Sequence, residues 1–394
     1  MAGMMDAPHK TVRDLRRGNR AAVLRALYLG GPASRQELSG LTSLSPATVS
    51  NVVGDLLAHG VVYEAGAAES QGGRPRVLLR INAGHGHAVG IDVGETHVRV
   101  ELFDLEMNRL AGTAYTLRPA RHDPEIVVRH VLAGVDLVLS EAGVPRERVL
   151  GVGVGVPGVV EQGPDAVVHA PGFGWDAVPL GRLLRKGTDL PLYVDNGAKS
   201  MGQAELWFGA GRGARHVVSV LIGTGAGASI VTDGVTYLGA NSSAGEWGHT
   251  KIVVGGRPCR CGGRGCLEAY VGAKGILERA GLWTDTVDEP AALAGLLASG
   301  SPVIEETVAY LGAGLANLIN LFNPERIVIG GWAGVLLGER LLVGIRRATE
   351  ENCLARPYMS ASIKLGRLGV ESTALGAATL VIEEFLLNSV PPGA

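Results

Sequence analysis

Aromatic side chains make up only 5% of this sequence, cysteine occurs four times in 394 residues, and the net charge is −2. Each scarcity excludes something. Three of the four cysteines, Cys259, Cys261 and Cys266, crowd into eight residues while Cys353 stands apart, which is no disulfide framework. Such a trio in a cytoplasmic chain points to metal, with three free core cysteines as the plainer alternative. The most apolar stretch, Leu150 to Val160, is too short and too rich in glycine to cross a bilayer. Met1 to Lys10 carries Asp6 and Pro8 and lacks an apolar core, so no secretory signal is expected and the cytoplasm is. A near-neutral total says nothing about a nucleic-acid partner.

What is present says more. The 59 glycines promise many tight turns, and the length calls for about two or three domains. Charge is unevenly spread. Between Lys10 and Arg80 ten Lys/Arg face five Asp/Glu, whereas the remainder is net acidic. A basic head on an acidic body suits a polyanion meeting the head alone, although a solvated charged face has the same composition.

The head reads as three helices and a wing. Arg16 to about Leu29 forms the first helix, stopped by Gly30-Gly31-Pro32. Ser34-Arg35-Gln36-Glu37 is a capping box opening a second helix that ends near Leu41. Ser45 and Pro46 supply an N-cap and a first-turn proline for a third helix reaching His59. On it Val49, Val52, Val53, Leu56 and Leu57 recur at helical spacing, leaving Ala47, Thr48, Ser50 and Asn51 outward near the N-terminus. Val61–Glu64 and Val77–Ile81 make two strands around a polar loop, Gly66 to Pro75. This is the pattern of a winged helix-turn-helix: small polar residues on the third helix meet base edges, while Arg35, Arg74 and Arg76 are placed for phosphates. A three-helix protein-interaction module is the alternative.

From His87 the pattern turns α/β. Strands are expected at Ala88–Val93, Val98–Phe103, Val149–Val156, Leu192–Val194, Val217–Ile222, Ala226–Val231 and Ile327–Ile329. Helices are expected at Pro124–Glu141, Leu267–Ala280, Pro302–Leu321 and Leu336–Glu351. Two segments are alike, Val89-Gly-Ile-Asp-Val-Gly-Glu-Thr and Leu221-Ile-Gly-Thr-Gly-Ala-Gly-Ala, each a strand entering a Gly/Thr turn. Paired hairpins of this kind suggest two lobes facing a cleft, with turn amides aimed at phosphates.

These features, with Val156-Pro157-Gly158, the run Val194 to Ala198, Glu246-Trp247-Gly248-His249, Cys259-Arg-Cys261-Gly-Gly-Arg-Gly-Cys266-Leu-Glu268 and Ile329-Gly330-Gly331, resemble the ROK family of bacterial repressors and sugar kinases. The winged head and Gly73-Arg74-Pro75 resemble its regulator branch. The resemblance implies an α/β protein: a winged helix-turn-helix at 1–82 and a two-lobed actin/hexokinase-like (ribonuclease-H-like) body. Its first lobe is expected at 83–197 plus 372–394 and its second at 198–371. It also implies phosphate-loop remnants at Asp92, Gly94, Thr96, Gly223, Thr224 and Gly225, and sugar contacts from Asn196, Glu246, His249 and Glu268. The partners implied are a sugar or derivative, double-stranded DNA with an inverted-repeat operator, and further copies of the chain as dimer or tetramer.

His249, Cys259, Cys261 and Cys266 form a His-x9-Cys-x-Cys-x4-Cys array suited to closed, structural Zn2+. Three departures mark the cleft. Family kinases read Asn-Asp-Ala-Asn where this chain has Asn196-Gly197-Ala198-Lys199, in a register anchored by Val194 and Glu205, so the catalytic base has become Gly197. Losing such a base costs ~10²–10⁴ in rate. Asp195, two positions away, is several ångströms displaced at ~3.3 Å per residue. The first phosphate loop has Gly94-Glu95 where kinases usually pair glycines, and Gly172-Phe173-Gly174-Trp175 stands where an Asn often approaches the sugar. The expectation is a sugar-responsive DNA-binding regulator without catalysis; a bifunctional sugar kinase and an inert-bodied DNA-binding scaffold are the rivals.

Overall fold

The computed structural model describes residues 11–68, 76–117 and 122–388. In the head, α1 (Val12–Gly30) starts before the expected Arg16 because Thr11 and Asp14 cap each other. The Ser34–Glu37 box opens α2 (Arg35–Thr42), and Ser45 with Pro46 opens α3 (Pro46–Ala58). Leu24, Leu27, Leu38, Val49, Val53 and Leu56 close their shared core. The wing pairs β1 (Val62–Ala68) with β2 (Arg76–Ile81), and Ala33 adds a bridge to Leu79. Gly66 to Ala68, expected in the loop, continue β1 past a bulge between Glu64 and Ala67. Arg74 lies outside the described residues.

The body repeats one plan twice. In the first lobe β3 (His87–Val93), β4 (His97–Asp104) and β5 (Arg109–Thr116) form an antiparallel meander. After α4 (Pro124–Ala142) comes β6 (Val149–Val156). A small sheet of β7 (Val159–Glu161), β8 (Val167–Ala170) and β9 (Trp175–Pro179) follows, then α5 (Leu180–Leu184) and β10 (Leu192–Asn196). The main sheet runs β10-β6-β3-β4-β5, with β6 parallel to both β3 and β10.

Next, α6 (Gly197–Trp207) leads into β11 (Val217–Ile222), β12 (Ala226–Thr232) and β13 (Val235–Thr236). The second lobe adds α7 (Glu268–Val271), α8 (Ala273–Arg279), α9 (Glu289–Ser299), α10 (Pro302–Phe322), β14 (Arg326–Gly330), α11 (Trp332–Asn352), α12 (Ala355–Ser360) and β15 (Ser362–Leu365). Its sheet, β13-β12-β11-β14-β15, has the order of the first, again an antiparallel meander beside two parallel strands. The two Gly/Thr segments are therefore equivalent hairpins, β3–β4 and β11–β12. The helix expected over Leu267–Ala280 is two, because Gly272 adopts an extended ψ of 147° between α7 and α8. No helix among the described residues is long and apolar enough to cross a membrane.

The last helix, α13 (Ser372–Asn388), returns to pack on β3, β6 and α6. Glycine makes that approach possible. A Cβ at Gly90 would lie 2.0 Å from the Ala374 carbonyl oxygen, and one at Gly153 1.8 Å from that of Ala377. Alternation along β6 puts Gly151, Gly153 and Gly155 on one face and buries Val152, Val154 and Val156 on the other. Gly153→Ala is expected to destabilise the protein by ~1–3 kcal/mol through overpacking, while Gly295→Ala, in open space on α9, stabilises it by ~0.5–1 kcal/mol. Urea titration of both variants checks this; equal effects would contradict the close-approach account.

Candidate functional site

The two equivalent hairpins face each other across a cavity of about 370 Å³. Asp92, Gly94 and Thr96 come from one turn and Gly223, Thr224 and Gly225 from the other. Asn196 and Gly197, at the start of α6, line the same cavity, as do Glu246, His249 and Glu268. All the sugar and phosphate-loop candidates thus meet in one place.

Asn196 is less free than its residue type suggests. Its Oδ1 accepts from the amides of Ala198 (2.8 Å) and Lys199 (3.2 Å), capping α6, and its Nδ2 donates to the Gly158 carbonyl (2.7 Å). At Gly197 a Cβ would meet nothing nearer than 3.5 Å, so the site has room for a side chain that the sequence does not provide. Asp195 lies outside the cavity lining; it accepts from the Asn196 amide at 2.7 Å and sits 3.8 Å from Lys199 Nζ. Burial pushes its carboxyl above the ordinary range despite Lys199. Lys199, itself buried, donates to the Ser242 carbonyl in the segment leading to Glu246. Burial likewise raises the Glu246 carboxyl, against the pull of His249 and Lys199.

His249, Cys259, Cys261 and Cys266 converge, their ligand atoms all within 4.8 Å of one another. Cys259 Sγ is 3.7 Å from His249 Nδ1, and Cys261 Sγ is 3.7 Å from Cys266 Sγ. The other ring nitrogen, Nε2, lies 4.0 Å from Glu246 Oε2. One imidazole therefore touches the cysteine cluster and the cavity at once. Lys251 Nζ donates to Cys266 Sγ at 2.8 Å. Three sulfurs and one ring nitrogen so grouped fit a metal ion.

Arg260, between two of those cysteines, was not singled out from the sequence. Its Nη1 is 2.5 Å from Glu95 Oε1, while Nε and Nη2 bind Glu268 at 2.8 and 3.2 Å. Glu95 belongs to the first lobe, whereas Arg260 and Glu268 belong to the second, so this ion pair crosses the cleft. Burial opposes the Arg260 charge, but Glu268 and Glu95 outweigh it and hold the guanidinium firmly protonated. Glu95, which stands where kinases usually have a second glycine, is matched by a cation. No local motif marks Glu289, whose Oε2 accepts from Thr224 Oγ1 at 2.8 Å, or His97, whose Nε2 lies 3.2 Å from Asp92 Oδ2. Gly172 and Phe173 line the cavity; Phe173 stacks on His122 at 3.9 Å, and His122 Nε2 donates to the Glu95 carbonyl at 2.7 Å. That segment is an aromatic wall supporting the first turn.

On the head, Ala47, Ser50 and Asn51 are exposed along α3, while Thr48 is half-buried with its hydroxyl 2.9 Å from Ser45 Oγ. Arg35 pairs with Glu64 at 3.3 Å and Arg76 with Glu37 at 3.8 Å, so neither cation is bare.

Several named proteins are similar to the chain. A xylose repressor of Caldicellulosiruptor bescii is 31% identical over 390 residues, covering 94% of this chain and 97% of its own. The Escherichia coli DNA-binding transcriptional repressor Mlc is 31% identical over 336 residues, covering 81% and 82%. Among solved structures, a ROK family transcriptional regulator homologous to Escherichia coli Mlc superposes with a TM-score of 0.78 at 26% identity, over 95% of this chain and 97% of that one. A ROK family glucokinase from Streptomyces griseus, solved with glucose and AMPPNP, gives 0.65 at 27% identity but covers 75% of this chain and 99% of its own. The two-lobed architecture is thus shared with regulators and kinases alike. The ROK family pattern itself spans residues 88–384, nearly the whole body, and the chain belongs to that family.

Proposed function

We propose that this protein is a cytoplasmic transcriptional regulator whose kinase-like cleft senses a sugar without phosphorylating it. The observation that carries the reading is a winged head on a cleft where α6 begins with glycine instead of a carboxylate. Coverage supports it: the repressor-like relatives extend over the head, whereas the glucokinase matches three quarters of the chain and is itself matched almost entirely. In this reading Glu246, His249, Glu268 and the remaining N–H of Asn196 take sugar hydroxyls. Asp92, Gly94, Thr96, Gly223, Thr224 and Gly225 are remnants of phosphate loops. Ala47, Thr48, Ser50 and Asn51 meet base edges, with Arg35, Arg74 and Arg76 at the backbone.

Zinc is the metal that the donor set favours. With Zn–S near 2.3 Å and Zn–N near 2.0 Å, tetrahedral neighbours sit roughly 3.5–3.8 Å apart. The two 3.7 Å separations agree with that spacing. Four protein donors leave no open position, so the ion's part is to orient. Bound through Nδ1, His249 presents Nε2–H to Glu246 and the cavity.

Helix α6 supports a coupling of cleft to head. Its first turn lines the cavity; at its other end the Trp207 and Phe208 rings lie 5.6 and 6.3 Å from Tyr28 of α1, edge-on. Arg25 sits over Trp207, and Arg212, just beyond, donates to the Leu29 carbonyl at 3.1 Å. A sugar that prefers one lobe angle therefore biases the head, and in a two-fold dimer the spacing of two recognition helices.

In gel shifts on an inverted-repeat operator, one member of a sugar panel is expected to change affinity by ~5–150-fold, the usual span of such coupling. Asn51→Ala should weaken operator binding by ~1–3 kcal/mol. A panel without effect would remove the sensor role. Elemental analysis should find about one zinc per chain, as four donors around one ion require. Cys261→Ser should lower the melting temperature and abolish the sugar response while the isolated operator contact persists; full response from zinc-free protein would contradict the orienting role.

A further inference from the structure

Resting on the sugar-binding reading above, we propose that the Glu95–Arg260–Glu268 ion-pair triad sets the charge selectivity of the cleft. It admits an uncharged polyol, an unphosphorylated sugar, and turns away phosphorylated or acidic relatives.

The guanidinium has a built seat. A Cβ at Gly172 would come within 2.8 Å of Arg260 Nη1, and one at Gly225 within 2.1 Å of Nη2, so glycine on each side makes the slot. Arg260 thereby fills the space beside the second turn, and its donors already face two carboxylates. An arriving anion would be a third negative group around one cation.

The surroundings add to the deficit. Asp92, Glu95, Glu246, Glu268 and Glu289 line the cavity, against two fixed cations, Arg99 and Arg260. Arg99 lies 4.0 Å from the buried Glu101, and His97 leans on Asp92. Three of the turn amides already have partners within the protein: Ala226 N–H donates to Glu268 at 2.9 Å, Gly223 N–H to the Gly225 carbonyl, and Gly94 N–H to the His97 carbonyl. The amides of Ala198 and Lys199, at the start of α6, go to Asn196. The cavity is thus rich in acceptors. Hydroxyl groups, which donate, are complementary to it; an ionised phosphate or carboxylate, which only accepts, is not.

The test is calorimetric titration of the full chain with matched ligands: D-glucose, glucose 6-phosphate and glucuronate, the corresponding xylose and N-acetylglucosamine sets, and inorganic pyrophosphate. In the wild type the neutral member of the set that binds should exceed its charged relatives by at least about tenfold, and pyrophosphate should not bind. Glu95→Gln keeps a hydrogen bond to Arg260 and removes one negative charge; it should narrow that ratio about tenfold and bring in pyrophosphate binding. Glu95→Ala is the second variant, expected to act in the same direction. Wild-type preference for a phosphorylated or acidic member, or an unchanged ratio in both folded variants, would overturn the proposal. Should no sugar of any charge bind, pyrophosphate still decides: binding gained on losing Glu95 supports the selectivity while the sugar reading falls, and pyrophosphate bound by the wild type overturns it.

Discussion

A single guanidinium joins the two halves of the cleft. Arg260 reaches from the cysteine-rich loop of the second lobe to Glu95 on the first turn, and holds Glu268 with its other edge. Taking three charges out of water is costly, and such a cluster persists only where geometry supplies every partner. Here it does. Glu268 also accepts from Ala226 N–H, the Glu95 carbonyl is braced by His122, and Arg260 lies between two cysteines of the His/Cys cluster. Removing Arg260 would leave two carboxylates buried together, so the cysteine loop, the first turn and the Glu268 helix depend on it jointly.

From that junction the remaining parts follow as a chain of supports. The cysteine cluster lies beside the cavity that His249 and Glu268 line; Lys199, from α6, holds the segment that leads to Glu246. Helix α6 then runs out of the cleft to the aromatic contact with Tyr28. Its burial is nearly complete despite Lys199, Ser200, Gln203 and Glu205. Glu205 shows how such polarity is tolerated: its carboxylate accepts backbone N–H groups of Ala210, Arg367 and Leu368, binding the end of α6 to the return segment before α13.

Local signals made much of this legible. Capping boxes and N-caps act within a few residues, so the second and third head helices could be placed from Ser34, Glu37, Ser45 and Pro46, while the Thr11–Asp14 cap of the first was passed over; His249 and the three cysteines were close enough in sequence to be read as a set. Helix α6 escaped because its buried face includes polar residues with no amphipathic period, and α13 because small residues dominate its packing side. The short strands β7, β8, β9, β13 and β15 have too few residues to display alternation. Arg260 escaped for another reason: its partner Glu95 is 165 positions away, and only the folded duplication of hairpins brings them together. The same distance effect hid the pairs that Arg35 and Arg76 make with Glu64 and Glu37.

The central claim is that this cleft recognises without reacting. It is tested most directly by a coupled ADP-release assay of the purified full chain with Mg-ATP and a panel of hexoses, pentoses and acetylated aminosugars. The account predicts turnover at the no-enzyme background for every sugar. Phosphorylation of any of them at the ~1–100 s⁻¹ typical of kinases would contradict it.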